Sequence, residues 1–159
     1  IDSLKDLLAQ GWDAIFVGSG APRGRDLDLP GRQEAAANIH LGIDWLASVS
    51  FQHIEKIGRR VIVLGGGNTA MDCCRSAKRL GGEDVKVIVR SGFDEMKASP
   101  WEKEDALHEG IPILNFHVPR RFEHEGGRLT GVCGRIREGG CCVVRSAATP
   151  NRFKRLDSS

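Results

Sequence analysis

The sequence predicts an α/β fold: a parallel sheet with helical crossovers, then a β-hairpin near the C-terminus. Three observations predict it. Short β-branched runs, "VIVL" at 61–64 and "VKVIV" at 85–89, alternate with stretches of helical period. The first run passes through Gly65-Gly66-Gly67 straight into a helical pattern, with no spacer. A glycine pair at 126–127 interrupts "RRFEHEGGRLTGV", as a hairpin turn does. Strand, helix, strand, helix, strand in series implies parallel strands joined by right-handed crossovers.

Each element has its own local signal. Residues 3–10 read as a helix capped by Ser3 and stopped by Gly11. Residues 14–17 read as a short buried strand. The loop "GSGAPRGRDLDLPGR" follows, dense in Gly, Pro and charge. Residues 40–54 place Leu41, Trp45, Leu46, Val49 and Ile54 near helical period. Residues 61–64 are a strand, and 68–80 a helix ended by Gly81-Gly82. A strand at 85–89 leads into the polar loop "RSGFDEMKA". "SPWE" at 99–102 starts the next helix, with Ser99 as cap, Pro100 in the first position and Glu102 completing a capping box. That helix runs to about Glu109, and residues 113–116 form a third strand.

The tail from Cys133 has a different character. It holds six basic residues (Arg135, Arg137, Arg145, Arg152, Lys154, Arg155) and two acids (Glu138, Asp157). Only Cys142-Val143-Val144 reads as strand there. The expectation is a disordered or aberrant end, of the composition that GC-rich DNA gives in a shifted frame.

Composition sets the limits on function. The chain has 159 residues, 40% hydrophobic and 28% charged, enough for one domain core or a domain plus a fragment. A formal net charge of +2 is too weak to point to nucleic acid. No apolar run approaches the ~20 residues of a membrane span. The chain opens on Ile1 in mid-pattern and reads as a piece of a longer protein. Five cysteines include two adjacent pairs, Cys73-Cys74 and Cys141-Cys142, which fit neither a disulfide framework nor a zinc site. A reduced, cytoplasmic setting is expected. The five histidines show no metal-ligand spacing, and no metal is expected.

Gly65, Gly67 and Ala70 fit G-x-G-x-x-[G/A], directly after a strand and opening a helix. Gly65 permits the tight turn. Gly67 lets the backbone approach a pyrophosphate, and Ala70 lets the helix pack on the strand. The helix N-terminus offers free N–H groups and a positive dipole end to that anion. The context predicts a Rossmann-like dinucleotide site made of Gly65, Gly66, Gly67, Asn68, Thr69 and Ala70. An NAD site places an acid at the end of the second strand, where it accepts from the ribose 2′-OH. Here that strand ends at Arg90 and Ser91. Arginine suits a 2′-phosphate through charge-assisted, bidentate bonds. Ser91 adds a hydroxyl, and Lys97 returns from the following loop. NADPH is therefore favoured over NADH. The competing reading of Arg90 is a solvated strand end.

Four stretches carry a resemblance: "DAIFVGSGAP", "DLDLPG", "VIVLGGGNTAMDCCRSAKRLGGEDVKVIVRS" and "EMKASPWEKEDALHEGI". Together they resemble the small-subunit family of NADPH-dependent glutamate synthase and related FAD/NAD(P) oxidoreductases, over residues 1 to about 132. The resemblance implies an NADPH domain inserted into an FAD domain. Hydride would pass from NADPH to FAD, and electrons through iron–sulfur clusters to a partner such as the glutamate synthase large subunit. It implies that residues 1–32 are the end of the FAD domain with its connecting loop, and that residues 33–132 are the NADPH domain. Residues 133–159 stay unassigned. Arg90 and Lys97 fall where the family contacts the 2′-phosphate. The family often has Asp in place of Asn68 and a second Arg in place of Ser91. Its amino-terminal cysteine clusters, first FAD glycine turn and carboxy-terminal FAD segment have no counterpart in this sequence. The chain alone is therefore expected to hold no FAD and to be inactive.

No side chain reads as a catalytic acid or base. Glu102, Glu104, Asp105 and Glu109 read as a solvated helix face, and Cys73 and Cys74 as small buried hydrophobes. Two other functions compete: an isolated dinucleotide-binding module without activity, and a flavin disulfide reductase. The latter needs a C-x-x-C or C-x-x-x-x-C pair, which this sequence does not contain.

Overall fold

The computed structural model describes residues 3–18, 20, 23–136 and 141–145. Helix α1 spans Leu4–Leu8, and the Ser3 hydroxyl accepts from the Lys5 amide at 3.1 Å. Helix α2 spans Gly42–Ser50. Strand β1 (Arg60–Leu64), helix α3 (Asn68–Arg79), strand β2 (Asp84–Ile88), helix α4 (Pro100–His108) and strand β3 (Ile113–Leu114) follow in turn. The three strands form one sheet in the order β1-β2-β3, all parallel. This is the α/β arrangement that the alternating runs predict.

Its core forms where α3 lies on the sheet. Met71, Cys74 and Ala77 of α3 pack with Val85, Val87 and Val89, and with Ala106 and Ile111 from the next crossover. Trp45 of α2 closes the outer side of α3. Gly42, at the start of α2, lets the two helices come close. A Cβ there would stand 3.1 Å from Cys73 Sγ.

Beyond β3 the chain turns at Asn115 and Phe116, the latter in the left-handed region at φ +59°. It then enters a second sheet of β4 (His117–Glu125), β5 (Arg128–Ile136) and β6 (Cys141–Arg145). These strands are antiparallel in the order β4-β5-β6. The β4–β5 turn is the expected one. Glu125 pairs with Arg128, and Gly126 and Gly127 both take positive φ, +54° and +79°. The segment before α2 docks on this sheet: the Phe122 amide donates to the Pro30 carbonyl at 2.8 Å, and the Leu129 amide to Asn38 Oδ1 at 3.1 Å. Among the described residues no helix is long and apolar enough to cross a membrane.

Four sequence expectations need correction. Residues 14–17 are extended but not a strand: Phe16 is 96% exposed, and no described strand lies beside it. A strand is defined by its ladder, and none is offered here. The strand expected at 113–116 stops at Leu114, because Asn115 and Phe116 turn the chain toward β4. The capping box on α4 does not form. Ser99 makes no side-chain cap bond to its own helix, and Glu102 turns instead to Arg75. Order also continues past Cys133. Residues 133–136 complete β5, and Cys141–Arg145 forms the strand that Cys142-Val143-Val144 suggested. Residues 137–140 and 146–159 lie outside the described residues, and so does whatever the tail expectation says of them.

Candidate dinucleotide site

The strand ends set the site. Leu64 is in register with Ile88, so β1 and β2 finish side by side. The Gly65 amide donates to the Ile88 carbonyl at 3.0 Å. Gly65 then turns at φ +142°, outside the range of ordinary L-residues, so the turn itself requires glycine. Gly66 is needed for space, since a Cβ there would press to 2.9 Å from Val89 Cγ1 and 3.3 Å from Met96 Cγ. Gly67 is different. It caps α3 in ordinary extended geometry, φ −104° and ψ 174°, and a Cβ built on it meets nothing within 4 Å. Neither backbone strain nor packing accounts for glycine at this position.

Helix α3 begins there with its donors open. No side chain caps it, and among the described residues the Asn68 and Thr69 amides have no acceptor. That leaves N–H groups and the positive helix end facing outward from the turn. Ala70 is buried, and its Cβ lies 3.5 Å from where a Gly65 Cβ would sit.

The loop after β2 folds over the same edge. Val89 is buried and Arg90 exposed, while the Ser91 carbonyl accepts from Asn115 Nδ2 at 3.0 Å. The Gly92 amide donates to Glu95 Oε2 at 3.1 Å. Met96 is buried against Gly66, and the Ala98 amide donates to the Gly66 carbonyl at 2.9 Å. Lys97, between them, is exposed beside the glycine turn. Neither Arg90 nor Lys97 has an ion-pair partner among the described residues. All nine residues expected from sequence therefore gather at the C-terminal edge of the parallel sheet, where open α/β sheets bind ligands.

The side chain of Asn68 has a role that the sequence did not disclose. Its Oδ1 accepts from the Ser99 amide at 2.8 Å, and its Nδ2 donates to Ser99 Oγ at 3.3 Å. Asn68 thus ties the start of α3 to the start of α4, and only its backbone amide remains for a ligand. A second missed contact lies further along the same helices. Arg75 bridges Glu102, Asp105 and Glu109 at 2.9, 3.0 and 2.8 Å, and Arg79 reaches Glu109 at 2.7 Å. The acidic face of α4 is an interhelical ion cluster rather than the expected solvated face, apart from exposed Glu104. The spacing 102-105-109 opposite 75-79 was the available signal.

Cys73 and Cys74 behave as expected from sequence. Burial pushes the Cys73 thiol up to about 12, with Asp72 adding to it, and burial pushes Cys74 up to about 11. A nucleophile needs the opposite shift. A cleft of about 260 Å³ beside α2 is lined by Arg32, His40, Asp44 and Trp45 among others, and none of the nine expected residues lines it.

Comparison with known proteins gives the family and the fold. The family described as pyridine nucleotide-disulphide oxidoreductase matches residues 4–153, beyond Cys133, where the resemblance read from sequence ended. The NADPH-Fe(3+) oxidoreductase subunit beta of Geobacter sulfurreducens is 35% identical over 127 residues, covering 79% of this chain and 19% of that protein. The glutamate synthase [NADPH] small chain of Halomonas elongata is 32% identical over 149 residues, covering 87% of this chain and 29% of that one. The chain thus spans under a third of either relative. Among solved structures, T. acidophilum thioredoxin reductase superposes with a TM-score of 0.63 at 17% identity, over 77% of this chain and 38% of that one. At that identity the likeness speaks for the fold alone.

Proposed function

The chain belongs to the pyridine nucleotide-disulphide oxidoreductase family, and from that premise we propose that it is the NADPH-binding portion of a glutamate-synthase-like flavin oxidoreductase. Gly67 carries the reading. The fold leaves open space at its Cβ position and asks nothing unusual of its φ. A bound pyrophosphate gives the missing reason for glycine, because it needs the bare backbone beside the open amides of Asn68 and Thr69. Residues Gly65 to Ala70 would hold the pyrophosphate, and Arg90, Ser91 and Lys97 the 2′-phosphate. When bound, the nicotinamide would supply hydride for the flavin of the intact parent, whose electrons would serve a partner of the glutamate synthase large-subunit type. This chain's own residues bind and orient.

In this reading residues 1–32 are the end of the FAD domain, and residues 33–132 the NADPH domain. Exposure of Leu4, Leu8, Trp12 and Phe16 supports that division. These side chains lack the apolar cover that the rest of an FAD domain would give them. The disulfide-reductase reading gains nothing from the site, since both cysteines near the glycine turn are buried, adjacent and held as thiols.

Titration calorimetry of the chain with NADPH and with NADH tests the reading. Saturable binding that is tighter for NADPH is expected. Absence of binding to either, in a chain folded by circular dichroism, would sink it. The purified chain is also expected to be colourless. A stoichiometric flavin spectrum would overturn the assignment of residues 1–32.

A further inference from the structure

Lys103 is a charged residue placed where charge is costly. It lies in the middle of α4, only 8% exposed, with an acidic residue on each side in sequence. Yet among the described residues its ammonium pairs with no carboxylate. Nζ donates instead to the Phe93 carbonyl at 3.1 Å and lies 4.6 Å from the centre of the Phe93 ring. Burying an ammonium away from water is unfavourable unless its hydrogen bonds are replaced. A leucine or methionine would fill the same space without that cost, so the ammonium is explained by what it holds.

What it holds is the centre of the loop over the site. Phe93 lies three residues after Arg90 and four before Lys97. Its carbonyl accepts from the Met96 amide at 3.3 Å as well as from Lys103, so one oxygen fixes the bend that brings Met96 down on Gly66. Its ring packs against the core of the parallel sheet. The loop is thus clamped at Phe93 and tied to the glycine turn through Ala98, while Arg90 and Lys97 are exposed.

We propose that Lys103 is the positioning residue that fixes this loop for the cofactor's 2′-phosphate, and so sets the preference for NADPH over NADH. The inference rests on the NADPH reading above. The Lys103 ammonium bonds to neither the glycine turn nor the strand end and would act through Phe93. A pyrophosphate contact shared by both cofactors is left alone. A 2′-phosphate contact, which needs Arg90 and Lys97 held together, is not. Fixing a binding loop beforehand removes an ordering cost from the ligand that uses the loop.

The test compares wild type with Lys103→Met, Lys103→Arg and Phe93→Leu in the 159-residue chain. Lys103→Met is expected to weaken NADPH roughly threefold to tenfold, the size of one hydrogen bond, and to leave NADH within about twofold. Lys103→Arg, which keeps a charged donor, should restore the ratio. Phe93→Leu, which keeps the ammonium but removes its ring, should lower the ratio in the same direction. Hydrogen exchange at the Met96 and Ala98 amides reads the clamp without any cofactor, and should speed up in Lys103→Met. Unchanged exchange at those amides overturns the clamp whether or not a cofactor binds. A wild type with no NADPH preference sinks the cofactor reading instead. A preference that survives Lys103→Met intact overturns the positioning role alone. If Lys103→Met does not fold, the ratio and exchange rates of Phe93→Leu decide in its place.

Discussion

The molecule contains two glycine turns, and they use glycine for opposite reasons. In the hairpin between β4 and β5, Gly126 and Gly127 both sit at positive φ, as a two-residue turn matched to the strand twist demands. Conformation alone accounts for them. In the turn between β1 and α3, Gly65 is likewise accounted for by its φ of +142° and Gly66 by its neighbours, but Gly67 by neither. The comparison separates glycines that the fold itself requires from one that it does not, which is the position the proposed pyrophosphate contact would explain. A sequence motif presents all of them alike.

The largest effect expected from this contrast is at Gly67. Valine is comfortable at φ −104° and ψ 174°, and its Cβ meets nothing within 4 Å. Gly67→Val should therefore keep its circular dichroism spectrum and melting temperature. It should lose dinucleotide binding by more than about a hundredfold, roughly 3 kcal/mol. Unchanged affinity by calorimetry would make this turn as structural as the hairpin.

Next is Arg90, at the same sheet edge. A charge-assisted contact contributes about 1.5–3 kcal/mol, so Arg90→Ala should weaken NADPH about tenfold to a hundredfold and barely alter NADH. An identical NADPH-to-NADH ratio in both proteins, at one salt concentration, would leave Arg90 a solvated strand end.

The hairpin supplies the converse. Gly127→Val places a β-branched residue at φ +79°, at a cost of about 1–2 kcal/mol. The melting temperature should fall by roughly 3–8 °C. NADPH affinity, measured well below the transition, should not move. Lost affinity in a folded protein would mean that the antiparallel sheet contributes to the site.

A further test concerns the thiols of α3. At pH 8, iodoacetamide should leave Cys73 and Cys74 unlabelled until denaturant is added, as peptide mass spectrometry would show. The sign for stability follows from the same shift. Unfolded thiols ionise near about 8.5, whereas the folded ones hold their protons to about 12 and 11. Above pH 9 the unfolded state releases protons that the folded state keeps, so stability should fall as pH rises toward 11. A flat denaturation midpoint over that range would contradict the burial of these groups.

What the sequence disclosed and what it hid divide along one physical line. The glycine turn, the β1–α3–β2 series and the hairpin are written in adjacent residues, and all appear where expected. Features decided by distant partners were misread. Residues 14–17 have strand composition but find no ladder. Glu102 has the spacing of a capping box, yet Arg75, 27 residues away, takes it. Lys103 looks like one more charge on a charged helix until Phe93 is folded beneath it. The residues after Cys133 look unstructured in composition, but Gly134 and Arg135 lie between β4 and β6, and Ile136 pairs with His117 of β4.

The bond between Asn68 and Ser99 has an optical consequence. Trp101 stands two residues beyond Ser99, at the second position of α4, and is 65% exposed. Trp45 is buried, and Trp12 lies in the amino-terminal segment far from the glycine turn in sequence. A nucleotide seated on the Asn68 amide would bind next to the residue that is hydrogen-bonded to Ser99, two residues before Trp101, and a reduced nicotinamide absorbs in the range where indoles emit. In a Trp12→Phe background the exposed, red-edge emission should come from Trp101, and its quenching on NADPH titration is the expected optical sign of the proposed binding.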